Sequence, residues 1–289
     1  MSQEFFSGLV MPTEEEISLL KSTSATPVRY CSAGEMPDEI DLFPEQEAED
    51  QTVMNSCCGN AEAQVVEIGL KLKGYDVEIS RMAAYLLAQK YGGGWTGDNG
   101  ASIGGAVRAS EDFGMPLEAT MSYPISRSPA EADRNYSNSV KWLKANWDKV
   151  QAEAANYKFQ SHTDIKGPDE VCDYTGSKMG GIIIGIPWDP NSMAASRTGK
   201  ITKWNASGKS WHAMYFRGFK TFSGVRWPML CNSHKGWGFE GKGWAYIAPE
   251  IVDYWKKFGS TVMIGQSDMN AEELAPRNIK IKGITGGGR

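Results

Sequence analysis

The feature that most constrains this chain is Cys57, which lies six residues after Gln51 and opens a run with helical periodicity. Apolar residues in that run recur at spacings of three and four, which predicts a helix with a buried face: Ala61, Val65, Ile68 and Leu72. Lys73-Gly74 supplies the helix end. Cys57 is therefore predicted in the first turn of a buried helix, where the helix dipole and the free N–H groups favour an anion.

A cysteine in that position has two interpretations. As a thiolate it is a good nucleophile, and the helix terminus would stabilise its charge. As a thiol, Cys57 is one of a pair of small core hydrophobes with Cys58, which is the common role of a lone buried cysteine. The residues downstream decide between the two.

Length and charge narrow the class of protein. The 289 residues suffice for one large domain or two small lobes with an ample core. The net charge of −5 and the lack of a long basic run argue against a nucleic-acid partner. The longest apolar stretch, residues 180–188, is too short to cross a bilayer, so no membrane partner is expected.

The start of the chain and its cysteines indicate the compartment. Residues 1–30 have neither the basic start nor the apolar core of a secretory signal, so a cytoplasmic location is expected. The five cysteines are an odd number without metal-type Cys-x-x-Cys spacing. We therefore expect mostly reduced thiols, with room for one disulfide, and neither a metal site nor a cofactor.

The predicted elements change character near residue 160. Before it, helix start signals recur at the capping box of residues 13–16 and at Ser80, Ser102 and Ser128. After it, apolar or alternating runs predict strands: 181–188, 211–220, 225–233, 242–248 and 260–265. A helical half followed by a strand-rich half is typical of an α+β protein.

These patterns divide the chain into three parts. Residues 1–35 form an N-terminal extension, and residues 36–265 form the main domain. Within the domain, the helical lobe lies mostly in 51–160 and the β lobe mostly in 161–265. Residues 266–289 are polar and end in Gly-Gly-Gly-Arg, so we expect a flexible tail or an arm that docks on an assembly partner.

A cysteine nucleophile needs a base, and the base needs an orienting group. Of the three histidines, His162 lies in a polar stretch that predicts a solvated surface role. His212 begins a predicted inner strand, where rigid backbone can hold its imidazole against the helix terminus. Asn232 ends the next strand, and its side-chain oxygen can accept the imidazole N–H. That bond would fix the tautomer and leave the other ring nitrogen for the thiol.

These residues, in this order, resemble the papain family (C1-type) of cysteine peptidases over about residues 36–264. Residues 51–57 resemble the glutamine and nucleophile segment of that family, and the Trp-His-Ala of 211–213 resembles its histidine segment. Asn232-Ser233, followed by Trp237-Gly238, resembles its asparagine block. Residues 98–101 resemble the turn against which the substrate backbone lies.

The resemblance implies a two-lobed papain-like fold, with a helical lobe that carries the cysteine helix packed against an antiparallel β lobe. It implies hydrolysis of a protein or peptide substrate through a thioester acyl-enzyme. Cys57 would be the nucleophile, His212 its ion-pair partner and general acid, and Asn232 the orienting group. The Gln51 amide and the Cys57 N–H would form the oxyanion hole. The implied substrate contacts are Asn99, Gly100, Ala101, Trp211 and Trp237.

The sequence also departs from the family pattern. Cys58 stands where the family has a tryptophan, and Ala101 stands at the second glycine of the substrate turn. His234 replaces the tryptophan that shields the His–Asn hydrogen bond, which also makes it a second candidate for the catalytic base. Residues 1–35 look too short for the family's usual inhibitory pro-segment.

Two alternatives therefore stay open. One is a catalytically inactive papain-like structural or binding protein, such as a phage particle component, in which case the chain would be virion-associated. The other is a peptidoglycan or isopeptide hydrolase, since related Cys-His folds do that work.

Overall fold

The structure is a computed structural model that describes residues 8–25, 36–189, 198–234, 236–258 and 261–270. Its eight described helices are α1 (Glu14–Thr23), α2 (Cys57–Leu72), α3 (Arg81–Tyr91), α4 (Ile103–Arg108), α5 (Pro129–Ala145), α6 (Trp147–Ala154), α7 (Pro168–Gly176) and α8 (Pro249–Lys256). A π-helical turn, Ala109–Phe113, continues α4, and a 3-10 turn covers Phe239–Gly241. None of the described helices is both long and apolar enough to span a membrane.

The strands form one mostly antiparallel sheet. They are β1 (Glu39–Asp41), β2 (Lys158–Asp164), β3 (Ile182–Pro187), β4 (Lys200–Ile201), β5 (Trp211–Phe222), β6 (Val225–Cys231), β7 (Trp244–Ile247) and β8 (Val262–Asn270). Their order is β2-β8-β3-β5-β6-β7-β4, with β1 paired to β5. Only the short β4–β7 pair is parallel among the described strands. The predicted α+β class is confirmed.

Helix α2 is the central element between the two halves. It begins at Cys57, as predicted, and every residue from Cys57 to Leu70 is buried. It packs against α3 on one side and against β5 on the other. It ends at Leu72 with Lys73 as its C-cap, and Gly74 then adopts a left-handed φ of 87° that only glycine takes without strain. Because it packs on both α3 and β5, the N-terminus of α2 lies at the junction between the helices and the sheet.

The predicted helix starts are confirmed by side-chain caps. The hydroxyls of Ser80, Ser102 and Ser128 accept hydrogen bonds from backbone N–H groups of α3, α4 and α5, at 3.0, 3.0 and 3.3 Å. Thr13 and Glu16 form both bonds of the capping box that opens α1. Each cap satisfies N–H groups that have no partner within the helix.

Several elements differ from their predictions. β2 and α7 occupy stretches for which we predicted no element, and β8 continues to Asn270, past the predicted domain end at 265. Four of the five extra residues of β8 are polar, and the fifth is the buried Met269; Gln266 is also buried, and Glu62 and Ser110 bond its amide. Hydrophobic patterning cannot detect such a pairing. The rest of the predicted tail, 271–289, lies outside the described residues.

Where the structure describes it, the N-terminal extension is not separate from the domain. Its described part, residues 8–25, is here called the N-terminal arm. Leu9 and Leu20 of the arm belong to the main hydrophobic core, with 9% and 3% of their surface exposed. The arm therefore packs as part of the domain.

Candidate active site

Cys57 lies at the N-terminus of α2, where its sulfur meets strand β5. The backbone N–H of Ala213 donates to Cys57 Sγ at 3.4 Å. Cys57 is fully buried and forms no disulfide, as is true of Cys58, Cys172 and Cys231 among the described cysteines. Burial raises the pKa of the Cys57 thiol to about 11, although backbone N–H groups, foremost that of Ala213, act in the opposite direction.

His212 precedes Ala213 on β5, the residue whose backbone N–H contacts the Cys57 sulfur. Its Nε2 lies 2.7 Å from Asn232 Oδ1, which follows the last residue of the neighbouring strand β6. Nδ1 of His212 is buried and has no hydrogen-bond partner among the described residues. Because Asn232 Oδ1 can only accept, Nε2 carries the proton and Nδ1 has a free lone pair.

The surroundings of His212 favour its neutral form. Burial, and after it the nearby His234, lower the pKa of His212 to about 3, while the Asn232 bond raises it. Asn232 itself is fixed from two sides, since its Oδ1 accepts from Ser233 N at 2.8 Å and its backbone N–H donates to the Gly243 carbonyl at 2.9 Å.

Gln51 is held just before α2. Its Oε1 accepts a hydrogen bond from the Ser233 hydroxyl at 2.7 Å, and its Nε2 donates to the Met54 carbonyl at 2.9 Å. The Gln51 backbone N–H donates to the Ser233 carbonyl at 2.9 Å. The segment before the cysteine is therefore tied directly to the segment that carries Asn232.

His234 and Trp188 enclose the His212 ring. The rings of His212 and His234 are stacked, with centroids 5.0 Å apart and planes 12° apart. The Trp188 ring lies 4.5 Å from the His212 ring and 6.0 Å from the His234 ring. Burial lowers the pKa of His234 to about 4, so this second imidazole is neutral at neutral pH. Trp188, which follows β3, supplies an indole beside the His–Asn pair.

Residues 8–10 of the N-terminal arm lie across this site. Ala101 N donates to the Gly8 carbonyl at 3.0 Å, and Val10 N donates to the Ala101 carbonyl at 3.0 Å. Leu9 and Ala101 thereby form a parallel bridge. The Gly8 N–H is also among the backbone groups that act to lower the pKa of the Cys57 thiol. The arm therefore covers the sulfur.

The fit of the arm depends on glycine at position 8. A Cβ there would lie 2.0 Å from the Asn55 carbonyl oxygen, far inside contact distance. A Cβ on Gly100 would lie 2.0 Å from the Gly8 oxygen. Leu9 lies over Gly185 of β3, where a Cβ would come within 2.8 Å of the leucine side chain. Residues 8–10 therefore fit closely against Asn55, Gly100 and Gly185, which line what is here called the groove.

Comparison with solved structures identifies the fold. Xylellain, a cysteine protease from Xylella fastidiosa, matches over 90% of this chain and 95% of its own, with a TM-score of 0.69 at 17% identity. Procathepsin B S9 from Trypanosoma congolense matches over 91% and 87%, with a TM-score of 0.64 at 14% identity. The Carica candamarcensis cysteine protease CMS1MS2 matches over 81% and 99%, with a TM-score of 0.56 at 15% identity.

This chain has a papain-like fold. The predicted two-lobed architecture, with the cysteine helix packed on an antiparallel β half, is confirmed by these matches and by the sheet order. The structural neighbours are cysteine proteases. No protein-family model matches the chain, and no curated protein matches its sequence.

Within the papain-like fold, the four predicted catalytic residues come together at one junction. Cys57 and Gln51 come from the start of α2 and the loop before it, His212 from β5, and Asn232 from the end of β6. Their catalytic roles stay predictions. No cluster of three or more histidine, cysteine or carboxylate groups arranged to hold a metal is found within the described ranges.

The predicted substrate contacts lie in different settings. Gly100 and Ala101 line the groove that the arm fills, whereas Asn99 is exposed and its amide bonds the Thr96 carbonyl. Trp211 is 9% exposed, and its Nε1 donates to the Gly208 carbonyl at 3.1 Å. The roles predicted for these four residues stay predictions.

Trp237 requires a correction. It is fully buried within the second core cluster, which belongs to the β half of the molecule. Its backbone N–H donates to the His234 carbonyl, and its carbonyl accepts from Gly243 at 2.7 Å, so the loop folds its ring inward. Trp237 is therefore a core residue rather than one that lines the groove.

Two features of the site escaped sequence reasoning. Residues 8–10 are Gly-Leu-Val, which carries no signal of a groove ligand, because its contacts with Ala101 depend on tertiary structure. Trp188 lies at the end of a predicted strand, and its approach to His212 follows from the pairing of Pro187 with Trp211 in the sheet.

Proposed function

We propose that this chain is a cysteine-type peptidase and that the described form is its latent state. The observation that carries the proposal is the arrangement at the end of α2. Cys57 lies at the helix N-terminus and accepts from the Ala213 N–H, while the preceding residue, His212, has its Nε2 held by Asn232 and an Nδ1 that can take a proton. A nucleophile, a base and an orienting group are the parts that acyl transfer needs.

The proposed chemistry uses these residues in sequence. The Cys57 thiol gives its proton to His212 Nδ1, and the thiolate bonds to the carbonyl carbon of the substrate peptide. The C–N bond then breaks, His212 returns the proton to the leaving amine, and a thioester remains. Water attacks the thioester while His212 takes its proton, and the acid and the thiol are released. The Cys57 N–H and the Gln51 amide would stabilise the oxyanion.

The filled groove explains why the described form would be latent. Burial stabilises the neutral thiol and the neutral imidazole, with pKa values of about 11 for Cys57 and about 3 for His212. Departure of residues 8–10 would admit water to both side chains and so end the burial that keeps them neutral. The two hydrogen bonds that Ala101 makes with the arm indicate how an extended substrate backbone would bind at this edge.

The same filled groove also fits the inactive alternative, in which the chain keeps the fold only to bind or to assemble. In that case residues 8–10 would be a permanent part of the structure. The two functions differ in what happens when the arm is displaced, because only a peptidase gains hydrolytic activity.

The test is peptide hydrolysis by the full chain with Gly8→Ala, which displaces the arm, against the same chain with Cys57→Ala added. A mixed peptide library read by mass spectrometry avoids a choice of specificity. We expect cleavage by the first chain and none by the second, with the same fold in both. Cleavage that survives Cys57→Ala would refute the nucleophile, and no cleavage by either chain would favour the inactive alternative.

A further inference from the structure

His162 lies between the N-terminal arm and the body of the domain. The sequence analysis expects a solvated role for it, but the structure places it on β2 with only 4% of its surface exposed. The expectation is wrong because the polar residues around it pair with α1, the π-helical turn and β8. This buried, titratable side chain takes no part in the chemistry proposed above.

Both ring nitrogens of His162 face acceptors. Nδ1 lies 2.7 Å from Glu111 Oε1 in the π-helical turn. Nε2 lies 2.9 Å from the Leu20 carbonyl, near the end of α1. It also lies 3.3 Å from the Thr23 hydroxyl, which already donates to the Leu19 carbonyl. A neutral imidazole has one N–H, so only the imidazolium satisfies both sides.

The charges around His162 agree with that geometry. Burial lowers its pKa, but the bonds to Glu111 and to the Leu20 carbonyl, with the charges of Glu111 and Asp164, outweigh burial and leave the pKa raised. The C-terminal end of α1 also favours a cation. On β8, the residue opposite is the neutral Gln266, and behind it lies Glu62, whose pKa burial raises to about 7.

The arm links this contact to the groove. Residues 8–10 lead through Pro12 into α1, which is fixed near its start by Glu16. The Glu16 carboxylate accepts from the Ser102 hydroxyl at 3.0 Å and pairs with Arg108 at 3.4 Å. Leu20 is buried, and His162 holds the last turn. Loss of one anchor therefore loosens the segment that covers Cys57.

We propose that protonated His162 latches the arm over the groove and that the arm loosens as His162 loses its proton. Because docking favours the charged form, the stabilisation is complete below the pKa of the undocked histidine. The stabilisation is lost as the pH rises through the pKa of the docked histidine. The latch is therefore closed under acid conditions and opens toward alkaline pH. That this opening exposes a catalytic thiol, Cys57, rests on the proposed function.

The test is hydrogen exchange at the Val10 and Ala101 amides, whose bonds join arm and groove. The full chain is measured at about pH 5.5 and about pH 8, with correction for the intrinsic exchange rate. We expect protection to fall about tenfold, as for the loss of one charged hydrogen bond. In His162→Gln, protection should be low already at the acid pH and independent of pH. Glu111→Gln should move the fall to lower pH.

The matched control is Glu62→Gln, because the pKa of Glu62, at about 7, lies between the two pH values used and its carboxylate bonds Gln266 rather than the arm. It should keep the fall seen in the parent chain, and a fall lost in Glu62→Gln but kept in His162→Gln would overturn the latch. Protection that does not change with pH in the parent chain would also overturn it. Exchange at the amides of α2 reports whether each variant is folded. If His162→Gln does not fold, the pH at which protection falls in Glu111→Gln decides the test.

Hydrogen exchange reports the docking of the arm whether or not the chain has catalytic activity. The latch and the proposed function can therefore be refuted independently of each other. A chain that cleaves nothing but shows the His162-dependent fall supports the latch alone. A chain that cleaves peptides with the same arm protection at both pH values supports the peptidase and refutes the latch.

Discussion

Gly8→Ala should uncover the Cys57 thiol. The added Cβ would lie 2.0 Å from the Asn55 carbonyl oxygen, and that oxygen belongs to backbone that cannot turn aside like a flexible side chain. Relief of the clash requires residue 8 to move by more than about 1 Å, since non-bonded carbon and oxygen atoms rarely approach within about 3 Å. Such a shift would break the two bonds to Ala101, both of which measure 3.0 Å.

The expected magnitude follows from the interactions that this shift would break. Two backbone hydrogen bonds contribute about 0.5–1.5 kcal/mol each. Burial of the Leu9 side chain, now 9% exposed, contributes about 1.5–3 kcal/mol more if it leaves with them. A total loss of about 3 kcal/mol corresponds to a change of roughly 100-fold in the fraction of molecules with an open groove.

The assay is alkylation of the folded chain by limiting iodoacetamide at about pH 6, where an ordinary thiol is almost wholly protonated. The position of the adduct is found by peptide mass. We expect Cys57 in Gly8→Ala to react roughly 100-fold faster than in the parent chain. Cys172 and Cys231, which are buried elsewhere, should stay slow and so report an intact fold.

The matched control is Val10→Ala. Val10 is 45% exposed, and its backbone bond to Ala101 does not depend on its side chain, so Cys57 should react as in the parent chain. Equal rates in Gly8→Ala and the parent chain would refute the view that the arm limits access to the thiol. A second variant, Gly100→Ala, places its Cβ 2.0 Å from the Gly8 oxygen and should also displace the arm.

Two further predictions concern buried ionisable groups. His234→Phe should raise the pKa of His212, because the charge of His234, after burial, lowers it; an NMR titration of the ring protons in which His212 is unchanged would contradict this. Burial raises the pKa of Glu67 to about 8, so its contribution to stability is complete below the unfolded value near 4.5 and is lost as the pH rises through about 8. Glu67→Gln should therefore reduce the fall in the free energy of unfolding between about pH 5 and about pH 8, measured by urea titration, and an equal fall in both chains would count against it.

The predictable part of the fold rests on local chemistry. The start of α2 at Cys57 follows from a periodic apolar run, and Ser80, Ser102 and Ser128 mark helix starts because their hydroxyls bond backbone that is three residues away. The order of glutamine, cysteine, histidine and asparagine along the chain likewise indicated which side chains meet. These signals lie within short windows or within a pattern of residue order, so sequence alone carries them.

The unpredicted part rests on contacts between distant segments. Gly8 and Asn55 are 47 positions apart by their numbers, and nothing local to Gly8 shows that its backbone will pack against Asn55 and Ala101. The polar residues around His162 predict a solvated side chain, because the sequence does not show that Glu111 and the end of α1 lie against its two ring nitrogens. Gln266 reads as tail until Glu62 bonds its amide inside the core.

The sequence by itself thus determined the helix starts, the α+β class and the identity of the residues at the N-terminal end of α2, because helix caps, periodicity and residue order are local or linear properties. The tertiary structure alone decided that the groove is filled by the chain's own residues 8–10 and that a buried His162 holds the arm in place. The physical reason is that burial and hydrogen-bond partners, which set the charge of Cys57, His212 and His162, exist only when distant segments are packed together.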